Sequence, residues 1–264
     1  MGLIPEQAER ACREEYSSGA VYRPESISVL PGDPADRSYS EELLNDRLEL
    51  VQRHCTGPRL LDLCCGNGLH LSRLFGHRAL PVGLDFSLPF LAYAREYAAG
   101  DCSSRASFVC ASAMGLPFRS GCFDGVYSIS ALMHIPDIAA TFAEVARVLA
   151  PGGAFVFDLG NRVSLNEVVC RQHPETARCF NMPVGEMLRQ LGRCGLTVVE
   201  HRAYQILPMW GGSPRWMRPL LHPRWTTLLK RRVAGRMLDE WLSSLPGLNR
   251  LAFRHVFACR KEGC

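Results

Sequence analysis

The stretch Leu60-Leu61-Asp62-Leu63-Cys64-Cys65-Gly66-Asn67-Gly68-Leu69-His70-Leu71 constrains the fold more than any other part of the chain. It reads as a short apolar strand, a tight Gly-x-Gly turn and the start of a helix. Such a turn lets the backbone come close to a ligand, and the helix start offers free N–H groups. The same alternation continues downstream. Apolar runs at Arg59–Cys64, Leu80–Asp85, Phe108–Cys110, Asp124–Ile129 and Ala154–Asp158 are bounded by Gly, Pro, Asp or Ser, as buried parallel strands are. Helical patterns lie between them. The clearest covers Ile138–Leu149, with Ile138, Phe142, Val145 and Leu149 on one face and a stop at Pro151-Gly152-Gly153. Another covers Gly185–Arg193 and ends at Cys194-Gly195. Further strands near Leu196–Ala203 and Leu251–Cys259 bring the expected count to seven. The pattern predicts an α/β fold, a doubly wound and mostly parallel sheet with helices on both faces. Ligands in such sheets bind beyond the C-terminal ends of the strands.

Around this core the expected division is a helical cap over 1–56, the core over 57–204, a Pro, Trp and Arg-rich insertion over 205–247 acting as a lid, and a final core strand within 248–264. The cap should hold a helix near Pro5–Tyr16, a Gly, Pro and Ser-rich stretch from Ser17 to Arg37, and a second helix opened by the capping-box pair Ser38 and Glu41. With 264 residues, 47% of them hydrophobic and 21% charged, the chain suits a globular core and excludes a disordered or fibrous reading. The first residues lack a basic lead, and no run reaches the roughly 18 apolar residues of a membrane span; a cytoplasmic location is expected. The 12 cysteines are scattered and read as reduced thiols. Cys170-x-x-His173 with Cys179 lacks a paired CxxC and a fourth ligand, so no metal is expected.

Asp85 follows Gly68 by seventeen residues, at the tip of the second strand. A carboxylate there can accept hydrogen bonds from both hydroxyls of a ribose. A dinucleotide site would want a third Gly where Leu71 stands, and its absence lowers that reading.

Four ordered blocks now stand together: Leu61–Gly68; Gly83-Leu84-Asp85-Phe86-Ser87 with Leu91-Ala92-x-Ala94-Arg95; Leu116-Pro117-Phe118 with Phe123-Asp124; and Glu144-x-x-Arg147-Val148-Leu149-x-Pro151-Gly152-Gly153. In these the chain resembles the class I S-adenosylmethionine-dependent methyltransferases, in the small-molecule, type 11-like group. The likeness covers residues 60 to 160 closely and 183 to 203 loosely. It implies a Rossmann-like fold and S-adenosylmethionine as cofactor. By the resemblance Asp62, Cys64, Gly66, Asn67 and Gly68 would hold the methionine part, Asp85 the ribose and Phe86 one face of the adenine. Ala113 and Met114 would pack around the ring, with Ser128 beside the cofactor. Ser112 stands where the family often carries an acid for the adenine amino group, and its hydroxyl can accept the same bond.

The stretch Ser128-Ile129-Ser130-Ala131-Leu132-Met133-His134-Ile135 leaves the fourth strand where the methyl group should face its acceptor. It lacks the Asn or Asp, Pro-Pro, aromatic tetrad of nucleobase amino methylation, a Pro-Cys nucleophile, and the carboxylates of metal-assisted enzymes. His134 is the expected base for the acceptor, since imidazole titrates near ~6.5 when unperturbed; the alternative is a packed histidine bonded to backbone. The acceptor pocket is expected under Tyr16, Tyr22 and Arg23 of the cap and Tyr204, Trp210 and Trp216 of the insertion. Their rings either stack on the acceptor or fill the lid's own core.

Residues 201–264 hold 12 Lys or Arg against 3 Asp or Glu, and the rest holds 18 against 23. Interleaved Trp, Leu and Arg within 214–236 make that segment a candidate contact to an anionic membrane or a phosphate-bearing substrate, with a solvated face as the plain alternative. The expected partner is a small-molecule acceptor, without DNA, and the chain is expected as a monomer or homodimer. Two other functions stay open: an RNA methyltransferase that uses the basic C-terminal region, and a cofactor-binding protein without transfer activity.

Overall fold

The apolar runs become strands wherever both faces of the sheet are covered. The computed structural model describes residues 5–17, 34–75, 80–99, 106–172, 179–208 and 214–263. Its elements in chain order begin with helices α1 (Pro5–Ser17) and α2 (Pro34–His54), strand β1 (Arg59–Leu63), α3 (Leu69–Phe75), β2 (Leu80–Asp85), α4 (Leu88–Ala99), β3 (Ser107–Cys110) and β4 (Phe123–Ser128). They continue with α5 (Ile138–Val148), β5 (Leu149–Gly160), α6 (Leu165–Arg171), α7 (Val184–Arg193) and β6 (Leu196–Tyr204). The insertion supplies α8 (Pro223–Leu229), the short hairpin β7 (Arg232–Val233) and β8 (Arg236–Met237), and α9 (Leu238–Ser243); β9 (Arg254–Lys261) returns to the main sheet.

The strand order is β3-β2-β1-β4-β5-β9-β6. β1 to β5 are parallel, and β9 runs antiparallel between β5 and β6. Order reverses beside β1, so the C-terminal ends of β1, β2 and β4 flank the crevice where open sheets of this kind bind ligands. Alternate residues of each strand feed two cores. Leu61, Leu63, Phe155 and Phe157 pack with Phe142 of α5 and Leu191 of α7. Leu60, Ala154 and Val156 pack on the other face with Leu43 and Val51 of α2 and Leu71 of α3.

Several blocks of the sequence act as clamps. Glu144 accepts from the Leu116 amide at 2.7 Å, while Arg147 donates to the carbonyls of Phe118 at 2.7 Å and Leu116 at 2.9 Å. Together they fix the loop between β3 and β4. Arg59 forms an ion pair with Asp124 at the N-terminal ends of the neighbouring strands β1 and β4.

The structure corrects the expectation in three places. α2 starts at Pro34, one turn before Ser38, because proline's fixed φ and missing N–H suit a first helical position. β5 already begins at Leu149 and runs through Pro151-Gly152-Gly153, with Gly152 at φ +73°. α6 was not anticipated; Ser164 caps it by accepting from the Glu167 amide at 3.2 Å. Cap and insertion are also tied to each other by side chains of α2. Tyr39 donates to Asp239 at 2.5 Å, and Arg232 bridges Glu42 and Asp46 at 2.7 and 2.6 Å.

Candidate functional site

The Gly turn after β1 and the tip of β2 are held together by one carboxylate. Asp85 accepts from the Gly66 amide through Oδ2 and from the Ser87 amide through Oδ1, both at 2.9 Å. An ionised carboxylate has about four acceptor positions, so two remain after these bonds. Gly66 and Gly68 adopt φ of +52° and +74°. A Cβ on Gly83 would lie 2.9 Å from both the Cys65 sulfur and the Phe108 ring, so the turn rests directly on β2.

Cys64 adopts φ +62° although it is not glycine, a conformation that costs an L-residue roughly 1–2 kcal/mol. Burial, then Asp85 and Asp62, push its thiol well above the usual range, which favours the neutral thiol. Burial also pushes the Asp62 carboxyl up to about 8, against a hydrogen bond with Tyr127. Burial likewise raises Asp85, against the amides it accepts from.

Among the described residues, the buried Asp62 Oδ2, Ser87 Oγ and Ser128 Oγ of this region have no partner. They sit along the C-terminal rim of β1, β2 and β4, where a polar ligand would satisfy them. Asn67 Oδ1 accepts from Leu69 N at 3.3 Å and so supports the start of α3. On the loop after β3, Ser112 Oγ accepts from Met114 N at 3.2 Å, which leaves its O–H and a second lone pair for a ligand. Ala113 is buried and Met114 packs against the core.

Of the expected acceptor residues, Tyr16 and His134 come together. The Tyr16 ring lies 5.8 Å from Phe86 and 5.6 Å from His134, edge-on in both cases. Helix α1 therefore spans from the β2 tip to the short helix Leu132–His134 after β4. Arg13 approaches from the same side, with its guanidinium 5.6 Å from the Phe86 ring centre. Its sequence signal was its place one turn before Tyr16. Tyr204 is instead fully buried in the second core with its hydroxyl 3.5 Å from Asp46, so it presents no surface to an acceptor. Trp216 stands 63% exposed on the insertion. Tyr22, Arg23 and Trp210 lie outside the described residues, as does His173; Cys170 and Cys179 are in no disulfide.

A buried charge cluster that sequence reasoning missed sits at the C-terminal end of β5. Asp158 accepts from Ser130 N at 2.5 Å, from Arg47 at 2.8 Å and from Arg254 at 2.5 Å. The one available hint was an aspartate inside the apolar run Phe155-Val156-Phe157-Asp158-Leu159.

Known proteins similar in sequence to this chain include methyltransferases. A family described as "Methyltransferase domain" matches residues 61–157. The O-methyltransferase rstn1 of Aspergillus nomiae is 30% identical over 184 residues, covering 66% of this chain and 81% of that protein. A demethylmenaquinone methyltransferase of Lactococcus lactis subsp. lactis is 38% identical over 104 residues, 38% of this chain, and the match spans only 41% of that protein's length. Among solved structures, magnesium protoporphyrin IX methyltransferase from Synechocystis PCC 6803 with bound SAH superposes with a TM-score of 0.63 at 13% identity, over 96% of this chain and all of that one; this likeness concerns the fold alone.

Proposed function

This chain belongs to the class I S-adenosylmethionine-dependent methyltransferases, and from that premise we propose that it methylates an oxygen or nitrogen of a small-molecule acceptor. S-adenosylmethionine is its cofactor. The observation that carries the reading is the convergence of the Gly66 amide and the Asp85 carboxylate at 2.9 Å, beside the unpartnered Asp62 Oδ2 and Ser128 Oγ. These residues fit a nucleoside joined to an amino acid: Asp85 takes the ribose hydroxyls, Asp62 and the Cys64–Gly68 turn the amino-acid end, and Phe86, Ser112, Ala113 and Met114 the base. When bound, the cofactor supplies an electrophilic methyl group whose in-line transfer removes charge. The protein's part is to align the acceptor, keep the site dry and take one proton. His134 accepts that proton at a ring nitrogen, and Tyr16 closes the site above it. O-methyltransferases among the relatives favour oxygen as the target. The test is release of S-adenosylhomocysteine in the presence of phenols, carboxylic acids and amines. Acceptor-dependent release supports the proposal; methylation confined to carbon, or no release by a chain that binds cofactor, contradicts it.

We further infer that the insertion rests on an anionic lipid surface. Among the described residues of 214–251, Trp216, Trp225, Leu228 and Val233 are exposed beside exposed Arg215, Arg218, Arg224 and Arg231. The two carboxylates of that stretch, Asp239 and Glu240, are both buried, so the outward face is cationic and apolar. None of the described helices is long and apolar enough to cross a membrane. Co-flotation with phosphatidylglycerol vesicles, lost with phosphatidylcholine and in a Trp216→Ser/Trp225→Ser variant, is the expected result. A chain that stays in the soluble fraction with both lipids at low salt refutes the contact.

A further inference from the structure

The cluster around Asp158 carries one positive charge too many. Arg47 and Arg254 both pair with this single, fully buried carboxylate. The two arginines are themselves only 6% and 9% exposed. Their remaining bonds go to neutral groups: Arg47 Nη1 donates to Ser130 Oγ at 2.6 Å and Nε to the Leu43 carbonyl, while Arg254 Nε donates to Gln205 Oε1 at 3.3 Å. No described residue accepts from the Nη2 group of either arginine. Neither Nη2 is among the buried polar atoms that lack a partner, so both keep a path to solvent.

Position gives the excess charge a meaning. Asp158 lies two residues before the end of β5, Ser130 two residues past the end of β4, and Arg254 opens the antiparallel β9 opposite Gly160, at the same rim of the sheet. Ser130 is exposed, two residues beyond Ser128 and four before His134. The nearby Glu167 is engaged with Arg171 at 3.1 Å and Asn181 at 2.8 Å and does not balance the second arginine. Two largely buried cations on one carboxylate are costly unless a second anion meets them. Guanidinium groups are matched by the oxygens of carboxylates and phosphates.

We propose that Arg47 and Arg254 form an oxyanion subsite at the acceptor end of the site, which anchors a carboxylate or phosphate borne by the acceptor. The proposal rests on reading the crevice as a methyl-transfer site and gives its acceptor a charge class. Asp158 and Ser130 are positioning residues that hold the two arginines.

The test is thermal stabilisation by sodium benzoate and by inorganic phosphate, each titrated at constant ionic strength, in wild type and Arg254→Gln. That substitution leaves Asp158 with Arg47 as a one-to-one pair, so the fold should survive. The expected result is a saturable stabilisation by at least one of the two anions, with affinity lower by about tenfold or more in Arg254→Gln. The anion that acts identifies the acceptor's group as carboxylate or phosphate. No saturable response to either, or an equal response in both proteins, overturns the proposal. If Arg254→Gln does not fold, bromide-soaked wild-type crystals decide: an anomalous peak between the two Nη2 groups supports the subsite and its absence overturns it. Titration of S-adenosylhomocysteine into wild type separates the two failures. Normal binding without an anion response condemns the subsite alone, and absent binding condemns the functional reading.

Discussion

The rings of Tyr16 and His134 meet edge to face, with centroids 5.6 Å apart and planes inclined by 62°, across the gap between α1 and the loop after β4. Residues more than a hundred positions apart in the chain thereby close over the same end of the crevice, and Tyr16 touches Phe86 from there as well. If His134 takes the acceptor proton, His134→Ala should lower kcat by about a hundredfold or more and leave S-adenosylhomocysteine affinity nearly unchanged. Undiminished turnover in that variant removes His134 from the chemistry.

Asp62 makes stability depend on pH in a defined direction. Its carboxyl sits at about 8 in the fold because of burial, whereas an unfolded aspartate loses its proton near about 4. Between those values the folded chain binds more protons than the unfolded one, so this group's contribution to stability falls as pH rises from about 4 to about 8. Asp62→Asn should flatten that part of the Tm-versus-pH curve. An ammonium group placed beside Asp62 should also expel its proton. Calorimetry of S-adenosylhomocysteine binding near neutral pH, in buffers of different ionisation enthalpy, should then show proton release in wild type and none in Asp62→Asn.

Cys64 tests the backbone of the Gly turn. At φ +62° a β-branched residue is strained, so Cys64→Val should destabilise the fold by about 1–3 kcal/mol relative to Cys64→Gly. Denaturant midpoints of the two variants measure the difference, and equal midpoints would show that the turn relaxes to negative φ.

Gly83→Ala places a methyl group 2.9 Å from the Cys65 sulfur and the Phe108 ring. The expected loss is about 1–3 kcal/mol, accompanied by weaker cofactor binding because Cys65 belongs to the turn. Gly192→Ala, in α7 with open space around the added carbon, should instead stabilise by roughly 0.5–1 kcal/mol. Reversed signs at the two sites would contradict the packing described here.

The parallel strands were legible because each is a short apolar run closed by Gly, Pro, Asp or Ser, and α5 because its apolar face has helical spacing from Ile138 to Val145. The turn at Gly66–Gly68 and Asp85 were legible for a related reason: local spacing places them at neighbouring strand ends. What escaped was non-local or hidden by residue type. Arg47, Asp158 and Arg254 are separated by roughly a hundred residues each way, and only the sheet brings them together. Cys64 conceals a left-handed backbone behind a side chain that seldom adopts one. Ser164 and Glu167 did carry the capping signature of α6, which lay in a stretch weighed for metal-ligand spacing instead. Tyr204 read as a lid aromatic because it borders the insertion, yet as the last residue of β6 it points into the core. The insertion's helix, hairpin and helix follow from Asp239 and Arg232 anchoring it to α2, a relation that no local pattern encodes.

The most direct measurement is isothermal titration of S-adenosylhomocysteine into the wild-type chain and Asp85→Ala. One saturable site is expected in wild type, with an affinity weaker by about tenfold or more in Asp85→Ala, since both ribose acceptors and the tie to Gly66 are lost. No binding heat in wild type, or equal affinity in the two proteins, would contradict this expectation.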